Sequence, residues 1–208
     1  TIGPAVTSGR VSDFASYPGR PHEYFVATAS GGLWYTDNNG ITWTPRFDRY
    51  GSYAIGDIAM HPDNPLVLWV GTGENNAQRS VAYGDGVYRS LDGGKSFTNM
   101  GLKDSGHIGQ IAFHPDDGNV VYVAAQGPLW STGGDRGFYR SSDAGATWER
   151  LLHVDAYTGA NEFVIHPARP DEIVVSTYQR HRTVWTMIDG GPGSGLHKST
   201  DGGRSWRK

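Results

Sequence analysis

Three polar segments of this chain hold the side chains with the clearest capacity for chemistry. Residues 73–85 carry Glu74, Asn75, Asn76, Arg79 and Asp85; residues 126–136 carry Trp130, Asp135 and Arg136; residues 178–194 carry Arg180, Arg182, Trp185 and Asp189. Hydrolysis of a sugar chain needs two carboxyl groups about 5 to 10 Å apart across the scissile bond. Glu74, Asp85, Asp135 and Asp189 are therefore candidate acids and bases, with no one pair singled out. Arginine offers a bidentate fork to a carboxylate, and tryptophan can stack on a sugar ring or clamp a peptide. Glu74, Asn75, Asn76, Arg79, Trp130, Arg136, Arg180, Arg182 and Trp185 thus form a candidate ligand-binding set. For each of them the competing reading is that these polar groups bond one another and order long loops.

Other chemistries are poorly supplied. His61, His114 and His166 each precede a proline, at equivalent places in three successive repeats. A metal site needs three or four ligands converging at about 2 Å from one point, and equivalent places in successive repeats lie apart. The histidines are read as strand ends before turns, with no metal and no cofactor expected. There are no cysteines, which excludes a disulfide framework and a thiolate nucleophile. The formal charge of −3 comes without any run of Lys or Arg, so a nucleic-acid partner is not expected. No stretch reaches the roughly 20 apolar residues of a membrane span, and no signal-peptide pattern opens the chain. Thr1 is not an initiator methionine, so the chain is expected to begin after processing or trimming.

The elements that must position these residues are set by an eight-residue signature. It occurs at 36–43 (TDNNGITW), 90–97 (SLDGGKSF), 141–148 (SSDAGATW) and 199–206 (STDGGRSW). The pattern is [Ser/Thr]-x-Asp-x-Gly-x-[Ser/Thr]-[Trp/Phe], with Asn38 in place of the first Asp. Its other members are Gly40, Trp43, Asp92, Gly94, Phe97, Asp143, Gly145, Trp148, Asp201, Gly203 and Trp206. A period of 51 to 58 residues between the glycines marks a solenoid, propeller or array. The hydroxyl and carboxylate accept hydrogen bonds from the N–H groups of their own turn, and Gly supplies a positive φ. The closing aromatics are expected to be buried between strands or blades.

Each repeat holds four short β-prone runs. A run ending in an aromatic or His before Pro (10–18, 55–62, 108–115, 162–167) leads through a polar turn to an apolar run (24–28, 67–72, 120–125, 173–177). A third run follows (32–36, 86–90, 137–141, 195–199), then the signature turn, then a fourth strand starting at its Trp or Phe. Four-stranded antiparallel meanders in tandem are propeller blades. The predicted fold is an all-β propeller with blades at about 8–48, 52–104, 105–155 and 158–208. Since residue 208 falls inside the last strand expected of blade four, a larger propeller is expected, its further blades supplied by the parent chain or another chain.

These boxes resemble the Asp-box, or BNR, repeats of sialidases, sortilin-type receptors, xyloglucan-active glycoside hydrolases and photosystem II assembly factors. The nearest likeness is to secreted bacterial sortilin-like proteins often labelled glycosyl hydrolase BNR-repeat. It rests on Ile2-Gly3-Pro4, Ser8-Gly9-Arg10, Gly71-Thr72-Gly73-Glu74-Asn75-Asn76, Gly84-Asp85-Gly86-Val87-Tyr88 and Ala125-Gln126-Gly127-Pro128-Leu129-Trp130. The resemblance implies a secreted, periplasmic or cell-surface location. It also implies a non-enzymatic binding or scaffold propeller for protein, peptide or glycan, with a glycoside hydrolase as the alternative. Where the xyloglucan-active enzymes carry a first-blade acid, this chain has Ala29. The Arg-Ile-Pro motif of sialidases is absent. An enzyme should show a deep pocket holding one carboxyl group of raised pKa; a binding propeller needs only the loop-bearing face.

Overall fold

The computed structural model describes residues 10–17 and 19–208. Ile2-Gly3-Pro4, Ser8-Gly9 and Pro18 lie outside the described residues. Among the described residues sixteen strands form four antiparallel sheets. The first holds β1 (Val11–Tyr17), β2 (Arg20–Thr28), β3 (Gly32–Thr36) and β4 (Thr44–Pro45). The second holds β5 (Ile55–Met60), β6 (Leu68–Thr72), β7 (Val87–Ser90) and β8 (Thr98–Asn99). The third holds β9 (Ile108–His114), β10 (Asp117–Ala125), β11 (Gly137–Ser141) and β12 (Glu149–Leu152). In the fourth, β14 (Ile173–Arg182) lies between β13 (Thr158–Ile165) and β16 (Gly195–Ser199), while its far end pairs with β15 (Met187–Asp189). The first strands β1, β5, β9 and β13 stand side by side, as the inner strands of a partial propeller.

Three details differ from the sequence expectation. The outer strands begin one residue after the closing aromatic, and in the fourth sheet the outer strand is a single bridge, Lys198 to Arg207. The turn expected at 116–119 is shorter, because β10 already starts at Asp117. Residues 178–194 are not a plain loop. Arg180, His181 and Arg182 pair with Asp189, Ile188 and Met187 in a projecting hairpin.

The signature turns form by the expected bonds. In the second, Gly94 N–H donates to Ser90 Oγ at 2.8 Å, and Lys95 and Ser96 N–H both donate to Asp92 Oδ1 at 2.9 Å. Asn38 reproduces most of this: Thr42 N–H reaches its Oδ1 at 2.9 Å and its own amide donates to Thr42 Oγ1. The histidines before proline serve the next turns. His61 Nδ1 accepts from Asp63 and Asn64 N–H, and His166 Nδ1 from Ala168 and Arg169 N–H, each at 3.1 Å.

A hydrophobic cluster fills each seam between consecutive sheets. Phe25 and Leu33 meet Ile55 and Leu68 in the first; Trp69 and Val87 meet Ile108 and Val121 in the second; Tyr122 and Phe138 meet Phe163 and Ile173 in the third. The signature glycine of one blade lies flat on the blade before it. A Cβ on Gly145, whose φ is +90°, would stand 2.3 Å from the Trp69 ring. Among the closing aromatics only Phe97 is buried; Trp43, Trp148 and Trp206 are half-buried. The expectation that all four are buried is corrected here, and for Trp148 and Trp206 the reason is the indole N–H. Trp148 Nε1–H donates to Met100 O at 2.7 Å and Trp206 Nε1–H to Leu151 O at 3.0 Å, in each case on the preceding blade. Holding that bond at the rim of the seam leaves one ring edge in water.

Candidate functional site

In an antiparallel meander the connections between second and third strands lie at the end opposite those between third and fourth. Residues 73–86, 126–136 and the 180–189 hairpin therefore share the end away from the signature turns. The same end carries the start of each inner strand. There a repeated position is acidic or amidic: Asp13, Asp57, Gln110 and Glu162. Asp13 Oδ2 accepts Ile58 N–H at 3.0 Å, Asp57 Oδ2 accepts Ile111 N–H at 2.6 Å, and Gln110 Oε1 accepts Phe163 N–H at 2.7 Å. Each side chain thus ties one inner strand to the next. Sequence reasoning missed this ladder, although its signal was present: a polar residue before Phe14, Ile58, Ile111 and Phe163.

A cleft of about 550 Å³ opens along this ladder, lined by Ser12, Asp57, Asn75, Gln110, Glu162 and Leu196 among others. Burial, and then the charge of neighbouring Asp13, push the Asp57 carboxyl up to about 8. A cleft with one carboxyl of raised pKa is the feature expected of an enzyme. Asp57 also holds the ladder bond made by its equivalents Asp13 and Gln110, so its position has a structural cause in the first three repeats.

The raised value fixes a sign. An unfolded Asp titrates near 3.9, so between about pH 4 and pH 8 the folded state binds the extra proton. Stability from this group is complete below the unfolded value and is lost as pH rises through the folded one. Asp57→Asn keeps an oxygen for Ile111 N–H and removes the charge beside Asp13. We expect that variant to be more stable than the parent at pH 9, by about 1.4 kcal/mol or more, with the gap closing towards pH 4. Urea midpoints at the two pH values check it.

The loop carboxylates are dispersed. Glu74 pairs with Arg10 at 3.2 Å. Asp85 accepts from Thr72 Oγ1 at 3.2 Å and from Tyr88 OH at 2.5 Å. Asp135 Oδ2 accepts Asp104 N–H at 3.0 Å, and Asp189 is exposed on β15. Ala29 is buried, with its N–H bonded to Arg10 O.

The arginines divide by environment. Arg136 is fully buried and donates to four backbone carbonyls: Gln126 at 2.6 Å, Ser131 at 2.8 Å, Tyr157 at 3.4 Å, and Pro128. Arg180 Nη1 donates to Asn76 O at 2.8 Å, Arg182 Nε to Ala77 O at 3.0 Å, and Arg79 Nη2 to Val184 O at 3.1 Å. These three bonds pin the blade-four hairpin against the blade-two insert. Asn76 Oδ1 caps the same insert through Ala77 and Gln78 N–H, and Asn75 Oδ1 accepts from Gln126 Nε2.

What this scaffold presents outward is aromatic. Trp185, at the tip of the pinned hairpin, is 91% exposed, flanked by exposed Val184, Met187 and Ile188. Half-buried Trp130 lies under the Arg182 guanidinium, 6.0 Å from its ring centre. Sequence reasoning found Trp185 but took its segment for a loop. The β-branched and aromatic residues at 183–188, closed by Gly190 and Gly191, were the missed hairpin signal.

Among the described residues no group of three or more His, Cys, Asp or Glu is placed to hold a metal ion, and no helix is long and apolar enough to cross a membrane.

Comparison with known proteins places this geometry in context. A xyloglucanase from a Paenibacillus species is 24% identical over 206 residues, covering 89% of this chain. The match spans only 19% of that enzyme's length. The crystal structure of the Niastella koreensis GH74 enzyme superposes with a TM-score of 0.69 at 22% identity, over 96% of this chain and 29% of that one. YCF48 from Cyanidioschyzon merolae superposes with a TM-score of 0.58 at 14% identity, over 100% and 61%. At these identities the two structures establish the propeller fold alone. The BNR/Asp-box repeat model matches residues 34–45. The model described as "Sortilin, neurotensin receptor 3" matches residues 85–208, more than half of the chain. A propeller segment built on Asp-box turns, with its long connections gathered at the opposite end, belongs to the Sortilin-Vps10 family.

Proposed function

We propose that this chain is the glycan-gripping part of a larger propeller, and that it binds a β-glucan chain of the xyloglucan kind across its insert-bearing face. The observation that carries the reading is Trp185: an indole 91% exposed on a hairpin held by three arginine bonds. An exposed apolar ring on a rigid support is a prepaid platform for the flat face of a sugar, because little ordering entropy remains to be lost on binding. The Paenibacillus relative, named a xyloglucanase, supports the substrate class. Sugar chains of that kind lie outside cells, so a secreted or cell-surface location belongs to the same proposal.

Binding is assigned to this face before hydrolysis, because Glu74, Asp85 and Asp135 are each engaged by neighbouring groups. Hydrolysis by the whole protein is the second reading. It is favoured by the same relative and by the raised pKa of Asp57 in its cleft.

Calorimetric titration with a xyloglucan oligosaccharide tests the first reading. We expect saturable binding, weakened at least tenfold, or about 1.4 kcal/mol, by Trp185→Ala. Absence of binding to any β-glucan, or saturable binding of a peptide instead, would refute it. Release of reducing ends that disappears in Asp57→Asn would establish the second.

A further inference from the structure

Beneath the pinned loops lies a buried polar knot whose hydrogen-bonding capacity is left open. Arg180 is 1% exposed and His107 fully buried. Arg180 spends Nη1–H on Asn76 O; its Nε and Nη2 are buried and have no acceptor among the described residues. Those two nitrogens lie along one edge of the guanidinium, the side-on fork that fits an anion. Among the described residues the one partner of the His107 ring is the Glu74 backbone. Burial, and then the charge of Arg180, hold the His107 pKa down to about 3, so the ring is neutral at pH 7 and adds no charge beside Arg180.

The charge balance points the same way. Arg136 meets four carbonyl oxygens, whereas Arg180 meets one. Among the described residues neither forms an ion pair with a carboxylate, and the Asp155 charge acts on Arg136 but not on Arg180. Burial, and then the proximity of Arg136, lower the Arg180 pKa to about 9. A buried guanidinium without a counter-charge is among the costliest arrangements a fold can hold. Water could fill the fork but brings no compensating charge.

We propose that the free edge of Arg180 holds a small monovalent anion, of the halide or formate size class. The anion completes the joint between the insert bearing Asn76 and the hairpin bearing Trp185. The outward face would then depend on anion binding, whichever ligand that face takes.

Bromide is the probe. Crystals of the protein as it occurs naturally, soaked in sodium bromide, should show an anomalous bromine peak within hydrogen-bonding reach of Arg180 Nε and Nη2. The melting temperature should be higher in sodium bromide than in sodium gluconate at equal ionic strength, and this difference should vanish in Arg180→Met. A water in place of the bromine peak, or an equal bromide effect in Arg180→Met, would overturn the proposal. Should Arg180→Met fail to fold, the bromide map of the unsubstituted protein decides alone.

Discussion

Trp69→Ala is expected to cost about 3 to 5 kcal/mol of folding stability. Trp69 is the largest of the fully buried side chains, at 1% exposure. It lies on β6 and reaches across the seam to blade three. Trp148 meets it edge-on at 5.9 Å between ring centres, and Gly145 lies against its rim because no Cβ would fit there. Truncation therefore removes the largest block of apolar surface and leaves a cavity lined by two blades, which backbone relaxation closes only in part. In a repeat protein the seam between neighbours carries much of the stability, so the loss should uncouple the halves as well as weaken one blade. Trp148→Ala is the control. Its ring is half-buried, and its removal should cost less. Urea unfolding of both variants checks the pair, and a loss below about 1 kcal/mol for Trp69→Ala would contradict the seam as described.

Arg136→Met is expected to lose about 3 to 5 kcal/mol as well, for a different reason. Methionine can fill most of the volume, but three of the four carbonyls that Arg136 serves would lose their donor, while Tyr157 O keeps the Arg180 N–H. These carbonyls belong to Gln126, Pro128, Ser131 and Tyr157, so one guanidinium folds the blade-three insert and ties it to the segment before β13. Each buried acceptor left without a partner costs about 1 to 3 kcal/mol. Arg136→Lys should rescue little, because a single ammonium cannot span four carbonyls in a plane. Hydrogen exchange across 126–136 should rise sharply in Arg136→Met. Unchanged exchange would show that the insert is ordered by something else.

The contrast between Arg136 and Arg182 explains what could and could not be read from sequence. Both are arginines in long inserts, and residue type alone placed both among ligand-binding candidates. The structure buries one against backbone carbonyls and lays the other over Trp130. That difference is made by partners far apart in the chain, which no local pattern records. The signature turns were legible because their bonds close within five residues: Ser90, Asp92 and Gly94 contain the whole device. The blades followed from their period. The ladder of Asp13, Asp57 and Gln110 escaped notice because each of its bonds joins one repeat to the next, and its meaning appears only when inner strands stand side by side. The 180–189 hairpin was hidden by its charged flank, since Arg180, His181 and Arg182 read as a polar loop until their pairing with 187–189 is seen.

The glycan reading makes a claim about faces, and the chain's seven tryptophans can test it. Trp130 and Trp185 lie on the insert-bearing end, whereas Trp43, Trp148 and Trp206 close the signature turns at the other. A nitrogen-15 NMR titration with a xyloglucan oligosaccharide would follow every indole N–H at once. The account predicts that the Trp185 and Trp130 signals move to saturation while those of Trp43, Trp148 and Trp206 stay in place. Saturable shifts of the signature-turn indoles with Trp185 unmoved would put the ligand on the opposite face and contradict it.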